Sequence, residues 1–278
     1  MFGEEIKTIT ETAKSKLGYM QSSPGGYLVL SALAGIYVGF GIVLIFAIGG
    51  PIHADGGPFL KLIMGASFGI ALSLVIFAGS ELFTGSNMIL VVGRLQKQVP
   101  TGLVLKSWLL CYVGNFIGSV FLAWLVIQGG SLAESSQLLL LKVTSMKMNT
   151  GAWELFVRGI LCNWLVCLAV WLAVKAKTET AKLILIFWCL FAFISSGFEH
   201  CVANMTLLSL GLLLPHGADV SFAGMLHNLS WVTLGNIIGG ALFVGMAYWF
   251  TSVKKVQRES SRVVSAEEAK AIGGVIEE

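Results

Sequence analysis

Residues 79–88 read GSELFTGSNM and residues 195–205 read SSGFEHCVANM, and these two stretches decide the fold. Each interrupts an apolar segment of about 34 residues, whereas a straight membrane crossing needs about 20. Both stretches contain a glycine, a glutamate and then an Asn-Met pair. Irregular backbone is tolerated at membrane depth only where protein buries it or a watery cavity adjoins it. The two stretches therefore predict a pair of broken membrane helices that share one solute path.

The composition is that of a polytopic helical membrane protein. Of the 278 residues, 56% are hydrophobic and 12% are charged, whereas soluble domains carry about 25% charged residues. The apolar residues cluster into runs that are long enough to cross a bilayer. We predict six transmembrane helices, at about 27–49, 60–93, 103–128, 151–175, 181–213 and 222–250.

A second sequence echo follows each break, with GNFIGS at 114–119 and GNIIGG at 235–240. Spans one to three thus resemble spans four to six, and a unit with an odd number of spans enters the second half inverted. The prediction is an all-α membrane protein with an inverted three-helix repeat, at about 26–128 and 151–251, in which the second and fifth helices are broken. Such matched breaks mark a midplane solute site, and the half-helix N-termini there favour an anion. The alternative, two short helices joined by a surface loop, is disfavoured because each break is too short to leave the membrane.

The two ends of the chain carry their own predictions. Residues 1–25 hold three glutamates and lack the apolar core of a signal peptide. Residues 2–20 have the spacing of an amphipathic helix that lies on the membrane surface. With both termini cytoplasmic, 14 of the 18 basic residues lie inside, as the positive-inside rule requires. We therefore predict a membrane domain over 1–251 and a polar cytoplasmic tail over 252–278.

Several other classes of function are disfavoured. The sequence has no basic stripe of the kind that binds nucleic acid, and its five cysteines lie in apolar runs without the spacing of a metal site. We therefore predict neither a metal nor a cofactor. No HExxH, paired-aspartate or Ser/His/Asp pattern indicates an intramembrane enzyme. A non-conducting receptor would need a larger soluble domain than a tail of about 27 residues.

The broken segments resemble those of the formate/nitrite transporter family of pentameric anion channels. The similarity lies in GSELFTG and SGFEHCVANM and extends over about residues 5–250. Within the family, GILCNWLVCLAVW, SGFEHCVANMTL and HNLSWVTLGN are most similar to the nitrite-type branch. The resemblance implies a homopentamer in the lipid bilayer of the bacterial cytoplasmic (inner) membrane, with an aquaporin-like helix arrangement and one pore in each protomer. The Asn-Pro-Ala repeats of aquaporins are absent, which argues against a water channel.

His200 is the leading candidate for a functional residue. Ionisable side chains inside a membrane are costly and usually face a cavity, and an imidazole can be a donor, an acceptor or a cation near neutral pH. From the residues alone, a pore histidine and a hydrogen-bonded packing histidine are equally good interpretations. The resemblance implies that His200 lies at the pore centre and hydrogen-bonds or protonates the passing anion.

Four other polar residues near the breaks are candidates for the pore. Thr84 can bond His200 or the solute, and the resemblance favours this role, although a threonine in a helix break more often caps backbone. The resemblance also implies that Asn163 and Asn204 face the pore. Asn87 is expected to bond loop backbone or to line the path.

The charged residues near the breaks are expected to play supporting roles. A bare carboxylate in the pore would repel an anion, so Glu81 and Glu199 are expected to accept backbone N–H bonds from their loops. Lys147 precedes span four, and the resemblance implies that it makes the outer vestibule positive and gathers anions. The residues alone do not separate this role from that of an ordinary loop lysine.

Bulky apolar side chains can narrow a pore and exclude hydrated ions, yet each one alone is more simply a core residue. The resemblance implies two constrictions, one formed by Phe68, Leu72 and Phe193 and the other by Leu82, Phe83 and Val166. The predicted function is the passage of a small monovalent anion, with nitrite as the leading substrate and formate or hydrosulfide as the alternatives.

Overall fold

The computed structural model describes residues 2–252, so residues 253–278 of the predicted tail lie outside the described part. Every regular element within the described residues is helical, as predicted. In chain order the helices are α1 (Gly3–Ser22), α2 (Pro24–Ala54), α3 (Leu60–Ser67), α4 (Ile70–Phe77), α5 (Phe83–Leu95), α6 (Thr101–Gln128), α7 (Glu134–Met148), α8 (Ala152–Lys175), α9 (Glu179–Ser195), α10 (Cys201–Leu213) and α11 (Phe222–Ile238). The last one continues as a π-helical segment at Gly239–Met246.

The apolar segments agree with the six predicted spans. Within residues 2–252, five segments are each long and apolar enough to cross a bilayer: Pro24–Ala54, Leu60–Phe77, Thr101–Gln128, Ala152–Lys175 and Phe222–Ser252. The remaining predicted span, the fifth, is divided into α9 and α10, and each of these helices is shorter than about 20 residues.

The two halves of the chain pack their helices in the same way. α2 lies along α6 in the first half, and α8 lies along α11 in the second. Both echo motifs place a glycine at this contact, because a Cβ atom on Gly118 would collide with the carbonyl oxygen of Ala32, and one on Gly239 with that of Ile160. Small residues allow membrane helices to approach this closely. The repeated GNxIG pattern therefore sets the closest approach of each helix pair.

Each half begins with a helix that precedes its three spans. α1 packs on α5, and α7 packs on α10, so each contacts the second part of a broken helix. The sequence predicted the first of these helices but not α7, and the second repeat therefore begins near Glu134 rather than at residue 151. The repeated unit has one helix more than the three predicted.

The apolar face of α1 is covered by protein. Ile6, Ile9, Ala13 and Leu17 are each at most 3% exposed, since this face packs mainly on α5. The predicted amphipathic helix is thus present, but it does not lie with its apolar face on lipid. α1 is an integral part of the membrane domain.

The first broken helix also bends at a point that the sequence did not indicate. α3 ends before Phe68, and α4 begins after Gly69. The hydroxyl groups of Ser67 and Ser73 donate to carbonyl groups one turn earlier, and such bonds often bend helices. The ring of buried Phe68 meets that of Phe193 edge-on, with 5.5 Å between the centroids.

Candidate functional site

The first break (residues 78–82) and the second break (residues 196–200) have the same backbone course. Gly79 and Gly197 have φ values of +72° and +73°, in the left-handed region that glycine adopts without steric cost. Leu82 and His200 are both extended and directly precede the next helix. The sequence similarity between the breaks therefore reflects one conformation that is used twice.

Asn115, on α6, holds the first break in place. Its side-chain oxygen accepts the N–H of Phe83 at 3.0 Å, and its Nδ2 donates to the carbonyl groups of Glu81 at 2.9 Å and Ser31 at 2.7 Å. The side chain is fully buried. One amide thus satisfies the first N–H of α5 and ties the break to α2.

Asn236, on α11, does the same for the second break. Its side-chain oxygen accepts the N–H of Cys201 at 2.9 Å, and its Nδ2 donates to the carbonyl groups of Glu199 at 2.9 Å and Gly159 at 2.8 Å. Both asparagines lie inside the echo motifs, but no role was predicted for them. Their repetition was the signal that could have identified them.

The glutamates of the two breaks are paired with lysines. Lys16 Nζ lies 2.6 Å from Glu81 Oε2, and Lys147 Nζ lies 2.7 Å from Glu199 Oε2. Both carboxylates were expected to accept loop N–H groups, whereas the structure pairs each of them with an ammonium group. Lys16 was not among the predicted site residues, although it occupies in α1 the place that Lys147 occupies in α7.

His200 joins the two breaks. Its Nδ1 accepts the N–H of Ala203 at 3.1 Å, and its Nε2 lies 2.9 Å from the hydroxyl oxygen of Thr84. Because Nδ1 is an acceptor, the proton of the neutral ring is on Nε2, which donates to Thr84 Oγ1. The predicted Thr84–His200 contact is therefore present, and it fixes the tautomer of the imidazole.

Asn204 lies beside the second break. Its Nδ2 donates to Glu199 Oε2 at 2.6 Å and to Asn228 Oδ1 at 2.8 Å. Asn228 in turn donates to the carbonyl group of Lys147 at 3.0 Å. Asn204 thus belongs to the network that holds the lysine–glutamate pair.

Asn163 and Asn87 do not occupy the predicted positions along the path. Asn163 Nδ2 donates to the carbonyl groups of Thr84 at 3.1 Å and Asn236 at 2.6 Å, so it supports the backbone behind Thr84 rather than facing a cavity. Asn87 is fully buried, and neither polar atom of its amide has a hydrogen-bond partner among residues 2–252. The bond to loop backbone expected for Asn87 is therefore absent.

Three cavities border the two breaks. The α1 vestibule, of about 640 Å³, contacts α1 and the first break, including Lys16 and Glu81. The α7 vestibule, of about 310 Å³, contacts α7 and the second break, including Lys147 and Glu199. The central cavity, of about 10 Å³, is lined by Val38, Phe68, Ala71, Leu72, Leu82, Val166, Leu190, Phe193 and His200.

Shared lining residues show where the cavities are divided. Leu72 and Leu82 line both the α1 vestibule and the central cavity, whereas Phe193 and His200 line both the central cavity and the α7 vestibule. Leu72 was grouped with Phe68 and Phe193, and it lines the central cavity with them, but it also lines the α1 vestibule with Leu82. The rings of Phe68 and Phe193 meet at the central cavity, which both side chains line.

Phe83 was predicted to narrow the path, and the structure places it elsewhere. Its ring packs edge-on against Tyr112 and Trp108, with centroid distances of 5.1 Å and 6.4 Å. It lines none of the three cavities. The reason is the start of α5 at this residue, which turns the side chain towards α6.

The chain is similar to known proteins over almost its whole length. The family model for formate/nitrite transporters matches residues 3–250. The chain belongs to the formate/nitrite transporter family. Its members include the nitrite transporter NirC of Salmonella typhimurium, which is 43% identical over 270 residues, or 97% of this chain and 99% of the relative. The family assignment made from the broken segments is therefore confirmed.

Solved structures of the family share the fold. A channel described as an FNT family ion channel superposes with a TM-score of 0.86 at 43% identity, and the match covers 90% of this chain and 99% of that one. A pentameric formate channel with formate bound superposes with a TM-score of 0.74 at 30% identity, over 84% of this chain and 99% of that one. These relatives are transporters and channels, so membership indicates anion transport rather than enzymatic chemistry.

The central cavity limits what can pass through it. A volume of about 10 Å³ holds roughly one water molecule, so an ion would shed most of its hydration there. His200 is the one polar residue among those that line this cavity. A solute crossing from one vestibule to the other would therefore meet the imidazole where the central cavity adjoins the α7 vestibule.

Proposed function

We propose that the protein passes nitrite across the bacterial cytoplasmic membrane, through a pore in each protomer of a homopentamer. The observation that carries the proposal is the position of His200, which lines both the central cavity and the α7 vestibule. The names of the relatives support the substrate and the assembly, since one is a nitrite transporter and another is a pentameric channel.

The physical obstacle to passage is the cost of an unhydrated anion in an apolar constriction. An imidazole beside the constriction can lower this cost in two ways, by protonating the anion to its neutral acid after the ring has gained a second proton, or by donating its Nε2–H to the anion in place of Thr84. The positive ends of α5 and α10, which both begin at the breaks, add a favourable potential. Thr84 orients the ring, and Asn163 holds the backbone of Thr84 in place.

The other predicted site residues receive roles from their positions. Leu72, Leu82 and Val166 exclude hydrated ions on the side of the α1 vestibule, and Phe68 and Phe193 do so on the other side. Asn204 lines the α7 vestibule and positions Glu199.

The orientation of the protein follows from the positive-inside rule. With both termini cytoplasmic, the α1 vestibule opens to the cytoplasm and the α7 vestibule opens to the outside. Cysteine accessibility in intact cells tests this assignment: a thiol introduced at Lys142 should react with an impermeant reagent, and one introduced at Lys177 should not.

Formate is the second candidate substrate, because the pentameric relative binds it and carries the same fold. Hydrosulfide remains the third alternative. The three anions are separated by flux measurements on one preparation of reconstituted protein, side by side at equal gradients. Nitrite should pass fastest, and no passage of any of the three would refute the proposal. A native mass near five protomers of 29.8 kDa tests the pentamer.

The role of His200 has its own test, the His200→Asn variant. Asparagine can still cap α10 but does not titrate, so nitrite uptake should fall and lose its wild-type pH dependence. Uptake into proteoliposomes at several pH values between about 5 and 8 measures both quantities. Unchanged rates with an unchanged pH profile would remove His200 from the mechanism.

A further inference from the structure

The two vestibules differ in charge, although the repeat makes their frameworks alike. The ionisable side chains that line the α1 vestibule are Glu11, Lys16 and Glu81. Those that line the α7 vestibule, apart from the imidazole of His200, are Lys61, Lys147, Arg158 and Glu199. The first set contains two acidic groups and one basic group, and the second set contains three basic groups and one acidic group.

The repeated ion pairs do not account for this difference. Lys16 is neutralised by Glu81, and Lys147 is neutralised by Glu199 at 2.7 Å. Lys147 therefore contributes little net charge to the α7 vestibule. The resemblance had implied that it gathers anions there. The basic groups that remain are Lys61 and Arg158.

Lys61 and Arg158 are tied by their backbone to the second broken helix. Ser195 Oγ donates to the carbonyl group of Lys61 at 3.4 Å. The N–H of Glu199, at the break itself, donates to the carbonyl group of Arg158 at 3.3 Å. Both residues line the cavity that His200 also lines, so their charges lie on the route to the imidazole.

Both side chains can contact a solute. The Lys61 ammonium group has no ion-pair partner among residues 2–252. The Arg158 guanidinium group pairs with Glu154, one turn earlier on α8, and both side chains are at least 36% exposed. Such exposed pairs are weak, and a guanidinium group has five N–H donors, so donors remain for an anion.

We infer that Lys61 and Arg158 form an anion-recruiting site at the mouth of the α7 vestibule, and that Arg158 favours planar anions with two oxygen atoms. The inference rests on the proposed function. A guanidinium group presents parallel N–H donors that match two coplanar oxygen atoms, whereas an ammonium group acts as a point charge. Nitrite and formate have two such oxygens, and hydrosulfide has a single sulfur.

The site belongs to one mouth of the path only. Leu30 is the counterpart of Arg158 in the first half, because its carbonyl group accepts the N–H of Glu81. The α1 vestibule therefore has no basic group at the equivalent position. Recruitment acts on anions that approach from the α7 side.

The first test compares the variants Lys61→Gln and Arg158→Gln with a matched control, Lys142→Gln. Lys142 is on the same side but lines a separate surface cavity with Pro215 and His216. Nitrite influx into proteoliposomes should show a KM about threefold to tenfold higher for the first two variants at about 0.01 M ionic strength, with an unchanged maximal rate. At about 1 M salt the KM ratio to wild type should approach one, because salt screens exposed charges. The control should match wild type at both salt concentrations.

The second test uses Arg158→Lys, which keeps the charge and removes the planar donors. Its KM for nitrite and formate should rise while its KM for hydrosulfide stays the same. An unchanged ratio among the three anions would overturn the role of Arg158 in selection.

Two further outcomes separate this inference from the proposed function. This inference alone is overturned if wild-type protein conducts nitrite but Lys61→Gln and Arg158→Gln have the same KM as the control. The same holds if their KM values are raised equally at both salt concentrations. Wild-type protein that conducts none of the anions overturns both proposals.

Discussion

The first break and the second break share a framework and differ in the residues that face the path. In both, a glycine with positive φ precedes a lysine-paired glutamate, and a buried asparagine from the third span of the repeat accepts the first N–H of the next helix. The residue just before that helix is Leu82 in one break and His200 in the other. The chemistry of the path is therefore asymmetric, although the backbone that presents it is duplicated.

The asparagine amides provide the most severe test of this equivalence. Asn115→Ala and Asn236→Ala each leave one N–H and two carbonyl groups without their partner in a buried site. An unsatisfied buried group costs about 1–3 kcal/mol, so each variant should lose about 3 kcal/mol or more of stability. Thermal unfolding of the purified protein measures the loss. Asn87→Ala is the control, because its amide has no partner to lose within residues 2–252. A large loss in only one of the first two variants would break the equivalence.

The lysine–glutamate pairs should differ between the halves. Glu199 is 3% exposed and Glu81 is 11% exposed, so removal of the lysine leaves the more deeply buried charge in the second half. We expect Lys147→Met to cost about 2 kcal/mol and Lys16→Met about 1 kcal/mol. Adding Glu199→Gln to Lys147→Met should recover part of the loss, since no unpaired charge remains. Equal costs in the two single variants would contradict the difference in burial.

The two glycines with positive φ should respond alike. A Cβ atom at Gly79 or Gly197 would meet no other atom within 4 Å, so the cost of Gly79→Ala or Gly197→Ala comes from the backbone alone. That cost is about 1 kcal/mol or slightly more for each. Gly25→Ala is the control, because that position is equally open and helical. Unequal losses would mean that the two breaks do not relax in the same way.

Asn87 should show the smallest effect. Its buried amide has no hydrogen-bond partner among the described residues, and replacing such a group by an apolar one of similar shape is nearly neutral. We expect Asn87→Leu to change stability by less than about 1 kcal/mol. A loss of about 2 kcal/mol would reveal an interaction of Asn87 that has no equivalent in the second break.

The broken helices were predictable because polar residues and glycines inside long apolar segments are a strong local signal. The pairing of Lys16 with Glu81 was not, because 65 residues separate the two and a lysine on an amphipathic helix resembles a solvated one. α7 was missed for a related reason: its sequence is only weakly apolar, and its burial depends on contacts with distant helices.

The Asn-Met pair that recurs in the two breaks does not occupy equivalent structural positions. Asn87 follows Glu81 by six residues, whereas Asn204 follows Glu199 by five. One residue rotates a helical position by about 100°, so the two asparagines point in different directions. Ser86 is the positional counterpart of Asn204, and its hydroxyl group has no partner among residues 2–252. The function of each asparagine could be assigned only from the three-dimensional structure.

The bond from the Ala203 N–H to His200 has a consequence for proton movement. The lone pair on Nδ1 is occupied by the opening turn of α10, so the ring can become an imidazolium only if that turn releases it. Protonation of Nδ1 therefore requires that the hydrogen bond from the Ala203 N–H breaks and that the first turn of α10 opens. Amide exchange at Ala203 should therefore quicken whenever the ring is charged, which makes one backbone hydrogen a reporter of the protonation state of His200.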